Sequence, residues 1–328
     1  MLSQLSKSLL IFLLIFSSGC KSLRLPSSVK ILRGPSMPTG IFEMGYATDG
    51  KIIFSIGGTT FLGRARQSVG EVYLFSPFAG GWEKAHFNDK PLVKGHTNSV
   101  YLPNFNIIVS TGFADIQKGD FYTFPLEILD LRDYHIDYLR SNPHWAQGSQ
   151  VVHWNSKAYV FGGIAFEEDG SSHFSNRMVS YNPASGEWED LAPMPSARGT
   201  YGAVVGNSLY TFGGFDNEHT YADIWRYDFE GDFWETVGYL PYAASHFSVA
   251  ARYPYIFLSN VGQENNVIGR IDIRDGSFKE FETWMTIVSP GSAIIGDYLY
   301  IFGGTWDEGR TASNKTFKIP LTELMMEE

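Results

Sequence analysis

The sequence predicts an all-β chain built from one unit, a four-stranded antiparallel sheet, repeated and closed into a ring. Three observations predict it. An apolar strand runs into paired glycines again and again: IFSIGG (53–58), YVFGG (159–163), LYTFGG (209–214) and LYIFGG (299–304). The second glycines are Gly58, Gly163, Gly214 and Gly304, and two weaker copies keep only that glycine, at Gly112 and Gly262. The intervals are therefore 54, 51, 51, 48 and 42 residues. Units of this length cannot bury an apolar face alone and must stack on one another. The second observation is a pair of apolar residues seven apart in each copy: Phe75/Trp82, Leu129/Ile136, Tyr181/Trp188, Tyr227/Trp234 and Ile271/Phe278. The third is composition: 34 glycines and 16% aromatic residues suit short strands joined by tight turns.

Each element follows from these markers. Turn words lie between the paired residues: SPFAGG (76–81), NPASGE (182–187), DFEGDF (228–233) and RDGS (274–277). Gly, Asn, Asp and Pro supply the dihedrals of a tight hairpin. One copy thus reads as two strands up to the glycines and a hairpin of two more. The last copy is short. After Gly304 it offers one strand, KTFKIPL (315–321), and then an acidic tail over 322–328. Its missing strand lies at the other end of the chain. VKILRGPSMPTG (29–40) matches WEDLAPMPSARG (188–199), with Met37-Pro38 on Met194-Pro195 and Ile31 in the place of Trp188. Residues 29–34 are expected to complete the last sheet, giving six. Without them that sheet would present an open edge, which invites aggregation.

The double glycines, the tyrosine and tryptophan seven apart, and the run LAPMPSARGTYGAVVGNSLYTFGG (191–214) resemble the kelch repeat family of β-propellers. The resemblance implies a six-bladed kelch-type β-propeller over residues 29–321, its last blade closed by an N-terminal strand. The glycine at the strand end is expected to leave space for a large ring over the backbone. Trp82, Trp188, Trp234, Tyr181 and Tyr227 then read as core.

In such a ring the connections between strands two and three of every blade open on the same face as the links between blades. On that face they are long: TTFLGRARQSVG (59–70), FADIQKGDFYTF (113–124), IAFEEDGSSHFSNR (164–177), FDNEHTYAD (215–223) and TWDEGRTASN (305–314). Long loops on a rigid scaffold are where binding concentrates. The ligand-binding candidates there are Arg64, Arg66, His173, Arg177, Asp216, His219, Trp306 and Arg310, with Arg198 on a blade link. Asp115, Lys118, Glu167, Glu168, Asp169, Asp223 and Asp307 share the face. His96 and His246, also on links, are expected to point toward the axis. Tyr221 and Trp306 can stack on a sugar ring or an apolar edge. The kelch resemblance singles out Arg198, since kelch proteins often place an arginine there. Converging arginines can hold a carboxylate through paired hydrogen bonds.

The N-terminus carries a different message. Lys7 precedes LLIFLLIF (9–16), then SSG (17–19) and Cys20, the single cysteine. The run is too short to span a bilayer and reads as the apolar part of an export signal. Small residues before a cysteine resemble a bacterial lipoprotein signal, although Ser17 stands where leucine is more usual. The expectation is a signal peptide over 1–19, lipidation of Cys20 (with plain secretion or a retained anchor as the alternative), a tether over 20–28, and a membrane-anchored protein at the outer membrane or facing the periplasm. Each buried CH₂ of an acyl chain adds about 0.8 kcal/mol of anchoring.

Several chemistries are not supported. A formal charge of −10 argues against a general nucleic-acid binder. There is no G-x-S-x-G elbow, no H-E-x-x-H helix and no phosphate-binding glycine loop. FEEDG (166–170) lacks the alternating oxygen ligands of a calcium loop. Galactose oxidase, another protein with kelch-type blades, builds its copper site with a cysteine, and here Cys20 lies in the leader. No metal and no cofactor are expected. Two functions lead, ahead of a structural or assembly role. One is a tethered binding module for a glycan, peptide or protein partner. The other is a sugar mutarotase resembling the N-acetylneuraminate epimerases, which are also exported six-bladed kelch proteins. It would clamp the sugar carboxylate with Arg198 or Arg177 and move the proton with Glu168 or His173.

Overall fold

Three of the glycine steps begin with a strand buried along its whole length. Ile53–Ile56, Ile107–Ser110 and Tyr255–Val261 are buried at each position. A strand with no exposed face must be central, with neighbours on both sides. The computed structural model describes residues 29–114, 126–167, 169, 171–262, 264, 266–306 and 310–326. Residues 1–28, with the expected leader, Cys20 and the whole expected tether, lie outside the described residues, as do Asp115, Lys118, Glu168 and Asp307.

The described residues form six four-stranded antiparallel sheets. From the axis outward, blade one is Gly45–Thr48, Ile53–Ile56, Val72–Ser76 and Gly81–Lys84. Blade two is Ser99–Leu102, Ile107–Ser110, Leu126–Asp130 and Ile136–Leu139. Blade three is Gln150–Trp154, Lys157–Phe161, Met178–Asn182 and Glu187–Leu191. Blade four is Gly199–Val205, Ser208–Phe215, Thr220–Asp228 and Phe233–Tyr239. Blade five is Ser248–Arg252, Tyr255–Val261, Val267–Asp272 and Phe278–Glu282. Blade six is Gly291–Ile295, Tyr298–Phe302, Thr316–Pro320 and the early strand Leu32–Arg33. The first strand of each blade lies beside the first strand of the next, and Gly291–Ile295 returns to Gly45–Thr48.

The five pairs spaced by seven are direct cross-strand partners, each joining strands three and four of a blade. Their rings pack at 5.0–5.1 Å in Phe75–Trp82, Tyr181–Trp188 and Tyr227–Trp234. The tryptophans are half-buried rather than sealed in a core, because each reaches back to the preceding blade. Trp82 donates to Thr316 Oγ1 at 2.8 Å, and Trp234 donates to the Ala192 carbonyl at 2.9 Å.

The leading segment closes the ring as expected. Leu32 pairs with Lys318 and Arg33 with Phe317. The Gly34 and Met37 N–H groups continue the contact to the carbonyls of Thr316 (2.8 Å) and Asn314 (2.7 Å). Val29 and Ile31 pack on the apolar cluster between blades five and six. The other end differs from the sequence expectation. Residues 321–325 form a helix with Leu321 and Leu324 buried, and Arg270 donates to the Leu324 carbonyl at 2.9 Å. The pattern was hidden because two leucines three apart are too few to show a period amid acidic residues.

The paired glycines do a different job from the one the sequence suggested. Both members of each pair have positive φ, for example 46° and 100° at Gly213 and Gly214. A Cβ on Gly214 would sit 2.0 Å from the Gly199 carbonyl oxygen, and one on Gly163 would sit 2.5 Å from that of Gln147. The space is taken by the backbone of a blade link, not by a ring. Two left-handed residues swing the chain out of the sheet just where the link must pass.

One link holds a buried histidine. His144 is 2% exposed, and its Nε2 lies 2.8 Å from the Gly162 carbonyl, a geometry that needs a proton on Nε2. Burial is the main reason its pKa falls from the usual 6.5 to about 4, against the pull of that carbonyl. As pH drops below 6.5 the unfolded chain takes up this proton and the folded one does not. Stability is therefore complete above about pH 6.5 and falls by roughly 1.4 kcal/mol per pH unit down to about pH 4. Urea unfolding at pH 7 and pH 4.5 should show a loss of about 2–3 kcal/mol from this site. A His144→Gln variant, less stable at pH 7, should show a shallower acid slope.

Candidate functional site

The six blade links meet around the axis and carry an unusual backbone. Just before the first strand, blades one, two, five and six each have a non-glycine residue with positive φ: Glu43 (52°), His96 (45°), His246 (60°) and Ser289 (51°). Blade three uses Gly148 at the same step. Such residues are uncommon, and they cluster where the surroundings over-determine them. Here hydrogen bonds run from link to link. The N–H of Thr97 donates to the Glu43 carbonyl (3.0 Å), Glu43 to that of Ser289 (3.4 Å), and Ser289 to that of His246 (2.7 Å). The His246 N–H ends on the Tyr201 hydroxyl at 2.8 Å.

This collar surrounds a cavity of about 570 Å³ that opens on the face of the long connections. That size suits a small ligand or a short protein segment. One wall is charged. Glu43 lies 3.3 Å from His96 Nδ1 and 3.8 Å from Arg66, and it accepts from Thr59 Oγ1 at 3.3 Å. Arg66 also lies over the Phe42 ring, 5.2 Å from its centroid. The opposite wall is aromatic: Phe174 meets Phe215 edge-on at 5.7 Å, and Phe215 stacks on His246 at 4.9 Å. Burial holds the His246 imidazole below its usual pKa; Glu43 opposes this, while His96 and Arg66 add to it. The floor is made of Tyr46, Tyr201, Asn98 and Gln150. Tyr46 reaches past blade six to the first strand of blade five, where it accepts the Val249 N–H at 3.2 Å. Burial raises the pKa of both tyrosines, so they stay protonated. Tyr46, Asn98 and Gln150 also border a second cavity of about 340 Å³ toward the short-turn face, so they form the waist of one axial channel.

Of the sequence candidates, the structure brings Arg66 into this cavity, together with the link residues His96 and His246. Arg64 is exposed at the tip of the hairpin Thr59–Leu62/Ala65–Ser68. His173 pairs with Glu167 at 3.5 Å on the hairpin Ile164–Phe166/Ser172–Phe174. Asp216 accepts the N–H groups of Glu218 and His219, each at 2.8 Å. The Tyr221 hydroxyl also bonds it and is the main cause of its low pKa, about 2. His219 is exposed beside it. Trp306 packs edge-on to Phe317 at 6.4 Å, and Arg310 follows it on the blade-six arm.

Arg177 and Arg198 are committed elsewhere. Arg177 holds Asp190 (2.7 Å) and the Pro143 carbonyl, so it braces blade three. Arg198 is 3% exposed and bound to Asp223 (2.9 Å) and Ser196. Its guanidinium lies 3.6 Å from the Tyr221 ring centre and 3.9 Å from that of Trp225. Buried and bonded to Asp223, Ser196 and the Gly213 carbonyl, this guanidinium braces neighbouring strands and lies outside the axial cavity. Lys94 plays the same part in blade two. Its carbonyl accepts from Gly58 as that of Arg198 accepts from Gly163, and its ammonium pairs with the buried Glu127. Burial lowers the Lys94 pKa, while Glu127 opposes the shift.

Sequence reasoning missed Glu43, Tyr46, Asn98 and Gln150. Only counting to the residue two before each first strand could have found Glu43. Three of the long connections carry strand pairing of their own. Those of blades one, three and six fold into small two-stranded hairpins, which satisfy their backbone groups.

A ring of like antiparallel sheets, with left-handed glycine pairs at the strand ends and an axial cavity, defines a kelch-type β-propeller. The chain belongs to the family described as the KLHDC2/KLHL20/DRC7 Kelch-repeats domain, which it matches over residues 45–259. It is similar to Kelch-like protein 40 of Mus musculus, 24% identical over 52% of this chain and 29% of that protein. Kelch-like protein 23 of Homo sapiens is 33% identical over 32% of this chain and 18% of that protein. A Kelch domain-containing protein of Archaeoglobus fulgidus is 35% identical over 24% of this chain and 26% of that one. The chain spans less than a third of the length of these curated relatives.

Proposed function

We propose that this propeller is a binding module that takes a segment of a protein partner, or a glycan, into its axial cavity. The observation that carries the reading is the cavity itself: about 570 Å³, one wall charged, the other aromatic, at the mouth of a rigid ring. The aromatic wall offers apolar burial, and the amides and hydroxyls of the floor offer direction. Peptide and glycan arrays probed with the protein test it. Gln147→Trp places a bulky ring among the lining residues and should abolish whatever signal the wild type gives. Binding that survives this variant places the site elsewhere.

The same proposal includes a tether. The short apolar run and the small residues before Cys20 support export and lipidation. Metabolic labelling with a tritiated fatty acid should mark the wild type and not Cys20→Ser; equal labelling, or none, rejects the anchor.

A second reading, a sugar mutarotase, is favoured by one contact: Glu43 and His96 lie 3.3 Å apart inside the cavity. Mutarotation needs only an acid and a base near the anomeric hydroxyl and the ring oxygen. Arg66 is then the cation available to a sugar carboxylate. Anomerisation of N-acetylneuraminate followed by proton NMR decides this; no acceleration removes the reading.

A further inference from the structure

The arms around the cavity do not share charge evenly. Resting on the proposal that the cavity binds a protein segment, we infer that the mouth is electrically polarised across the axis. It selects an extended segment with an acidic stretch on one side and a basic stretch on the other. The blade-one hairpin, residues 59–68, carries Arg64 and Arg66 and no carboxylate. Both arginines are exposed, and the nearest ionic partner of Arg66, Glu43, is 3.8 Å away. Blade four stands opposite blade one in the ring of first strands. Its arm carries Asp216 and Glu218, and the neighbouring blade-three arm carries Glu167 and Asp169. Glu167, Asp169 and Glu218 are exposed. All three arms leave between strands two and three, on the same face.

Charges set on opposite sides of a low-dielectric cleft orient an incoming chain and raise its rate of encounter. An all-acidic segment gains at blade one and is repelled at blades three and four, and an all-basic segment meets the reverse. A bipolar segment gains at both ends. A second copy of this chain could also match the pattern. Its broad face would leave the 570 Å³ cavity unfilled, which favours an extended strand.

The test uses the full chain and three synthetic peptides of equal length: an acidic triplet joined through a glycine–serine linker to a basic triplet, an all-acidic peptide and an all-basic peptide. The bipolar peptide should bind about tenfold more tightly than either, the worth of a few exposed ion pairs, and added salt should erase the difference. Arg64→Glu with Arg66→Glu should shift the preference to the all-basic peptide. Asp169→Lys with Glu218→Lys should shift it to the all-acidic one. Equal affinities, a ranking that neither variant changes, or no binding by any peptide overturns the inference. If the peptides bind equally but Gln147→Trp stops them, the cavity reading stands and the polarised mouth falls. If the charge variants instead change the oligomeric state by light scattering, the occupant is a second copy and the inference is overturned.

Discussion

Lys94→Met is expected to lower stability by about 3–5 kcal/mol, the usual result of removing one partner of a buried ion pair. The side chains of Lys94 and Glu127 are 2% and 0% exposed. The lysine also donates to Ser110 Oγ at 2.8 Å, and the other carboxylate oxygen accepts the Leu92 N–H at 2.6 Å. Methionine keeps the length of the chain but leaves a carboxylate in an apolar interior with no cation. It must then take a proton or draw in water. The double variant Lys94→Met/Glu127→Leu removes both charges and should regain most of the loss, since an apolar pair of similar volume often matches a buried salt bridge. Urea unfolding of wild type, both single variants and the double variant measures the coupling. Single variants that unfold like the wild type would show that the pair is hydrated and not buried.

Deleting residues 29–34 is the second large effect. Blade six would keep three strands, and the outer edge of Thr316–Pro320 would lose the partners Leu32 and Arg33. Val29 and Ile31 would leave the cluster that holds Phe281, Phe317 and Ile319. Two partly buried apolar side chains are worth roughly 2–4 kcal/mol together. The freed edge adds a risk of association between chains. The truncated protein should melt earlier and sediment as larger species; unchanged melting and a monomer would mean that the ring does not depend on this strand.

Much of the scaffold can be read in the residues because hairpins fix their own register. In Tyr181/Trp188 and Tyr227/Trp234, a tight turn and an alternating pattern leave a single pairing. The closing strand has no such turn and was legible instead through a repeat match, Met37-Pro38 against Met194-Pro195. The site was far less so. A left-handed φ at Glu43 or His246 is imposed by link-to-link hydrogen bonds, not by residue type. Arg66 and Arg198 look alike in sequence. One stands at the cavity and the other is enclosed by Tyr221, Trp225 and Asp223, and only packing separates them. Lys94 escaped notice because its blade keeps one glycine of the pair, so the position matching Arg198 carried no marker.

The working face, the collar and the cavity all depend on a ring latched by the leading segment. A cysteine pair tests that most directly: Leu32→Cys with Lys318→Cys in a Cys20→Ser background, oxidised at low protein concentration. Directly opposed residues on adjacent strands are near enough for a disulfide. An intramolecular bond is expected to form in the folded protein and to raise the melting temperature. Two free thiols that persist under oxidation, or bonds only between molecules, would contradict it.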